Sequence, residues 1–152
     1  MKRTYLVVVD TSNEAETALL FAARRAAKTS GGVHILALVP QPEFVQWGGV
    51  QATMEEEARA RAEAMVMGAA GTLMAEAGVQ PAITVKMGNP IAAVRHFLAD
   101  EPNIAALVLG AAPKGAPGPL VSHFAGNDAG AMPCPIMVIP GSLSREDIER
   151  LS

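Results

Sequence analysis

Asp10 closes a run of three valines, VVVD, and is followed by Thr11, Ser12 and Asn13. A carboxylate at the end of an apolar strand can accept hydrogen bonds from a ligand, or it can order a turn and the start of a helix. A second apolar run ends on Gly110 and opens into AAPKGAPGP, which places Gly110, Gly115 and Gly118 with three prolines before Leu120. Glycine has no Cβ, so such backbone can approach a phosphate closely, and a helix that follows offers free N–H groups. Lys114 adds a cation within this loop, and Ser122 and His123 add polar side chains at the start of the next helix. The chemistry these residue types could do is anion binding. The same glycines and prolines could instead form only a compact, rigid connection.

The motifs that would give a sharper assignment are absent. DTSNEAE follows the first strand where a dinucleotide fold would carry G-x-G-x-x-G. Neither a G-x-x-x-x-G-K-[S/T] loop nor a G-x-S-x-G elbow occurs. His34, His96 and His123 lack metal-ligand spacing among themselves or with Cys134. His34 and His96 read as structural or solvent-facing, and Cys134, between two prolines, as a small packing residue.

The 152 residues are expected to form one domain, residues 1–141, with a short helical extension at 142–152. Half the residues are hydrophobic, yet the chain has only four Phe, one Trp, one Tyr and one Cys, so the core must come from Val, Ile, Leu, Met and Ala. A net charge of −3 without a basic stripe argues against nucleic acid or an anionic membrane as partner. Arg24, Arg25 and Lys28 read as the solvated face and last turn of a helix. A single cysteine excludes an intramolecular disulfide and fits a reducing compartment. The N-terminal apolar run is too short for a signal peptide, and no run reaches a membrane span. A cytoplasmic location is the expectation.

Periodicity supplies the elements that would hold these residues. Apolar runs at 5–9, 33–39, 81–87, 104–109 and 136–139 read as strands, the third nearer a sheet edge because it alternates. Helices are expected up to Lys28, over 54–77 with Gly78 as its stop, from Pro90 with Asn89 as cap, and over about 120–129. Thr11 and Glu14 stand at capping-box spacing, with Ser12 or Asn13 as other caps, and Ser144 and Asp147 suggest a capped terminal helix. Glu43–Thr53, with Phe44 and Trp47, reads as a surface loop. Strands alternating with helices argue for an α/β fold with a parallel sheet, whose ligands bind beyond the carboxyl ends of the strands. Asp10, Pro40, Gly88 and Gly110 stand at those ends.

Taken in order, VVVD before a helix, a strand ending LVP, Gly88-x-Pro90 opening a helix, LVLG before a glycine-rich loop, and PCPIMVIP resemble the universal stress protein family over residues 4–140. The resemblance implies a doubly wound fold of the adenine nucleotide alpha hydrolase type, with a five-stranded parallel sheet of order 3-2-1-4-5. It also implies a homodimer, often joined through the last strand, and a role in stress response or signalling. Nucleotide-binding members carry an aspartate after the first strand and a loop G-x2-G-x9-G-[S/T]. Carried over, Asp10, with Thr11 beside it, meets the nucleoside, Val39 and Pro40 line the adenine pocket, and Gly110 begins the phosphate loop. The implied ligand is ATP or AMP, with Mg as the accompanying ion.

The match then departs from the pattern. Pro113 replaces the second glycine, and Ser122-His123 stands where Gly-Ser/Thr would. Proline has no N–H to offer and fixes φ. In one reading Lys114, Gly115 and Gly118 replace the missing glycine, while Ser122, His123 and the helix start hold phosphate. In the other the pocket is empty or holds something else, and the protein is a dimeric interaction protein for an unidentified protein partner. With no acid, base or metal cluster, the sequence supports at most slow nucleotide hydrolysis.

Overall fold

The computed structural model describes residues 3–10, 12–39 and 48–152. Five strands, β1 (Thr4–Val9), β2 (Gly32–Val39), β3 (Ala82–Met87), β4 (Ile104–Ala111) and β5 (Ile136–Pro140), alternate with five helices. These are α1 (Glu14–Lys28), α2 (Gly48–Ala77), α3 (Pro90–Asp100), α4 (Pro119–Ser122) and α5 (Arg145–Leu151). All strand pairs are parallel and the order is β3-β2-β1-β4-β5, as the family resemblance implies. β3, the strand whose alternation suggested an edge, is at one.

Alternate residues of each central strand feed two separate cores, because strand side chains point to opposite faces with period two. Tyr5, Val7, Val33, Ile35 and Val108 pack with Ala18, Leu19 and Ala22 of α1, Val66 and Ala70 of α2 and Ile148 of α5. Leu6, Val8, Leu36, Leu107 and Leu109 pack on the other face with Val94, Phe97 and Leu98 of α3 and with Leu120, Val121 and Phe124. Both faces are covered, which is why the strands read as continuous apolar runs.

Small residues set how closely α1 lies on this sheet. A Cβ on Gly110 would fall 2.3 Å from the Glu14 carbonyl oxygen, and one on Gly141 3.0 Å from the Glu14 Cβ. The first turn of α1 is therefore seated directly on the ends of β4 and β5.

Three expectations are corrected. The α2 helix starts at Gly48 rather than Met54, so 48–53 are helical and not loop. Extending an established helix costs little per residue, so a segment without apolar periodicity can still join it. The rest of the expected loop, with Phe44 and Trp47, lies outside the described residues.

The helix expected over 120–129 is instead α4, a π-helical turn at His123–Asn127 and a 3-10 turn at Ala129–Ala131. The i→i+5 bond from Asp128 N to His123 O, 3.0 Å, widens the backbone there. At the start of α1, Asn13 occupies the cap position without a side-chain cap bond, and Ser12 turns back to Asp10. By contrast Asn89 caps α3 through Ala92 N, Ser144 and Asp147 form a capping box, and Gly78 ends α2 with φ +71°.

The terminal helix joins the first core. Ile148 is buried against α1, Arg25 Nη1 donates to Ser152 O at 3.0 Å, and Lys28 Nζ donates to Glu149 O and Ser152 Oγ. The basic residues read as a solvated helix face thus satisfy the last carbonyls of α5.

Candidate functional site at the ends of strands β1 and β4

The sheet order reverses between β1 and β4, since β1 leads to β2 on one side and β4 leads to β5 on the other. A cavity of about 120 Å³ lies at that point, lined by Val8, Asp10, Ser12, Glu14, Gly110, Gly118 and Leu120, among others. It collects the end of β1, the start of α1, the end of β4 and the start of α4 at the crevice where open parallel sheets bind ligands.

Asp10 has two tasks available to it. Its Oδ1 accepts the Ser12 N–H at 2.9 Å and the Ser12 hydroxyl, which orders the turn into α1. Its Oδ2 accepts nothing among the described residues, so one oxygen remains for a ligand. Gly110 is accounted for by the fold: the place its Cβ would take is filled by the Glu14 carbonyl of α1, not by open space.

The loop after Gly110 closes on itself. Ala112 N donates to Pro117 O at 3.1 Å, Gly115 has φ +75° and Gly118 φ +112°. L-residues rarely adopt either conformation, so both glycines are required by the path of the loop. The Ala112 amide is committed to this closure and Pro113 has none. The N–H groups left to this segment are those of Lys114, Gly115, Ala116 and Gly118.

The remaining expected residues are dispersed. Lys114 and Gly115 are exposed and do not line the cavity. Ser122 is exposed, its amide donating to Gly118 O at 3.0 Å. His123 turns toward α3, with Nε2 2.8 Å from Arg95 Nη2 and 3.0 Å from Asp128 Oδ2. Val39 is buried at the end of β2. Thr11 and Pro40 lie outside the described residues. The structure thus brings Asp10, Gly110 and Gly118 together and leaves Lys114, Gly115, Ser122 and His123 outside that cavity.

Glu14 also lines the cavity, a residue the sequence had offered only as a capping-box partner. The cavity volume is well below the ~300–1,000 Å³ of small-molecule pockets.

Elsewhere, His34 Nε2 bonds Thr84 Oγ1 at 2.7 Å and packs edge-on to Phe97, and burial lowers its pKa. Burial pushes the Cys134 thiol up, away from reactivity. Among the described residues no group of three His, Cys, Asp or Glu side chains could hold a metal, and no helix is long and apolar enough to cross a membrane. Arg95, on α3, was missed by sequence reasoning because it is 28 residues from His123, and Asp128, five residues on, because the π-helical turn that brings it back to His123 has no sequence signal.

The model of the universal stress protein family matches residues 1–140. Among solved structures, the universal stress protein UspA from Lactobacillus plantarum is 20% identical, covering 90% of this chain and 97% of its own, with a TM-score of 0.73. The universal stress protein from Archaeoglobus fulgidus in complex with dAMP is 18% identical, with coverages of 91% and 98% and a TM-score of 0.55. A universal stress protein in complex with cAMP is 15% identical, with coverages of 92% and 98% and a TM-score of 0.53. At these identities the likeness is one of fold. No curated protein matches the chain.

Proposed function

The chain belongs to the universal stress protein family, and from that premise we propose that it binds a small adenine nucleotide at the ends of β1 and β4. One observation carries the reading: the cavity at the switch point is walled by Asp10, Gly110 and Gly118, with one Asp10 oxygen uncommitted. Two neighbours of the same fold were solved with dAMP and cAMP. Asp10 Oδ2 accepts from the ribose hydroxyls, Val39 and Pro40 bound the base, and the Gly118 amide at the cavity wall meets phosphate, with Thr11 as a flanking hydroxyl.

The electrostatics refine the choice of nucleotide. Asp10 and Glu14 both face the cavity, Pro113 supplies no amide, and Lys114 is exposed beyond it. A triphosphate brings about two more negative charges than a monophosphate to a cavity lined by Asp10 and Glu14. AMP therefore binds more tightly than free ATP, and Mg narrows the gap by neutralising the polyphosphate.

Calorimetric titration of the whole protein with AMP, ATP and ATP with Mg tests this. Saturable AMP binding that weakens by about 1.5–3 kcal/mol in Asp10→Ala is the expected result, the usual loss for a hydrogen bond to a charged group. No heat at millimolar nucleotide would overturn it.

The closure of the loop by the Ala112–Pro117 bond favours a second reading, in which the site stays shut and the chain is a dimeric interaction protein of the same family. Mass spectrometry of the purified protein separates the two, because a retained nucleotide supports the first and a retained polypeptide with no nucleotide the second.

A further inference from the structure

Three side chains outside the Asp10 cavity meet at single atoms. Arg95 Nη2, on α3, lies 2.8 Å from His123 Nε2 and 2.6 Å from Asp128 Oδ2, and His123 Nε2 lies 3.0 Å from that same oxygen. A guanidinium nitrogen only donates and an ionised carboxylate oxygen only accepts, whereas an imidazole nitrogen does one or the other according to its proton. His123 Nε2 therefore satisfies Arg95 or Asp128, and never both at once.

The contacts place the proton. A separation of 2.8 Å between Nη2 and Nε2 is a hydrogen-bond length, at which two N–H groups would repel, so Nε2 holds a lone pair and the ring proton is on Nδ1. Nδ1 has no protein partner among the described residues and is not closed off from water. The Arg95 hydrogen bond, first among its contacts, holds the Asp128 carboxyl below the ordinary range and keeps it an acceptor. The other titratable residues of α3, His96 and Asp100, line a separate cleft toward β3. β4 and β5 pack against the segment that carries His123, and neither they nor α4 carry a titratable residue.

We propose that His123 is a proton-operated clasp between α3 and the segment that follows α4. With Nε2 unprotonated the clasp is closed, Arg95 donating to the ring. When Nε2 takes a proton from solvent it becomes a donor to Asp128, and the Arg95 N–H then faces an N–H of like charge. Arg95 is the part that moves, because its side chain is 53% exposed, while the ring is 21% exposed and packs edge-on to the fully buried Phe124. Histidine is the side chain that ordinarily changes charge between about pH 5 and 8, and the clasp opens over that change. The segment it holds continues directly from Leu120 and Val121 in the wall of the Asp10 cavity, but the clasp does not depend on what that cavity binds.

The test is nitrogen NMR of the His123 ring and the Arg95 guanidinium in the full chain, followed from about pH 8 down to about pH 5. At the high end the ring is expected as the Nδ1–H tautomer. As it becomes imidazolium, the Arg95 guanidinium signals should shift with the same midpoint. His123→Phe keeps an aromatic ring without the nitrogen and should abolish the pH dependence of Arg95.

An Nε2–H tautomer at the high end, a ring that does not titrate in this range, or Arg95 signals that stay still while His123 titrates would each overturn the clasp. So would an Arg95 titration that persists in His123→Phe. The tautomer is read on the unchanged chain, so it decides the matter even if His123→Phe fails to fold.

Discussion

Asp128, like Asp147, is a carboxylate whose pKa the fold lowers. Its Oδ2 accepts from Arg95 Nη2 at 2.6 Å, and this hydrogen bond, foremost among its contacts, holds the carboxyl below the ordinary carboxylate range. A group with a depressed folded pKa stabilises the protein above its unfolded pKa and loses that contribution as pH falls through the folded value. Urea midpoints measured against pH should therefore show an acid-sensitive component below about pH 4 that is absent in Asp128→Asn; identical profiles would count against the ion pair. Gly110 makes a prediction of a different kind. Gly110→Ala places a Cβ 2.3 Å from the backbone oxygen of Glu14, so α1 must shift, at a cost on the order of 1–3 kcal/mol by denaturant unfolding. Because α1 also carries Glu14 and Ala15 into the cavity wall, AMP affinity should fall with it.

At the scale of elements, two segments depend on a few contacts. The α5 helix has only seven residues, too short to persist alone, and is held by its capping box, by Ile148 and by Arg25 and Lys28 on its last carbonyls. Ser144→Ala should cost about 1 kcal/mol and speed amide exchange across 145–151; unchanged exchange would mean that tertiary packing alone holds the helix. The π-helical turn at 123–127 solves a geometric conflict. Phe124 is fully buried among the α3-side core, while His123 and Asp128 face Arg95 from the same short stretch. Widening the turn lets one segment serve both directions. Phe124→Ala should destabilise by about 3–5 kcal/mol, seen as a lower unfolding midpoint, whereas a loss below 1 kcal/mol would show that the turn relaxes to fill the space.

At the scale of the whole molecule, β5 is the open edge of the sheet on the β4 side, and Val138 on it is 39% exposed. An uncovered edge strand with an exposed apolar residue is a ready pairing surface. Sedimentation equilibrium is expected to give a homodimer joined through β5, and Val138→Arg a monomer; a wild-type monomer at micromolar concentration would remove that assembly. The order of strands and helices, the two-sided burial of the sheet and the caps at Asn89 and Ser144 follow from the sequence, because each depends on periodicity or on residues within a few positions. The family match at 1–140 has the same origin. What only the tertiary structure decided involves partners distant along the chain. Gly110 is a glycine because Glu14 lies against it, His123 faces Arg95, and the basic face of α1 anchors α5. Local pattern fixes which backbone a segment prefers; which groups then meet depends on packing between segments, and that packing set the Glu14 carbonyl against Gly110 at the start of the loop legible as phosphate-binding.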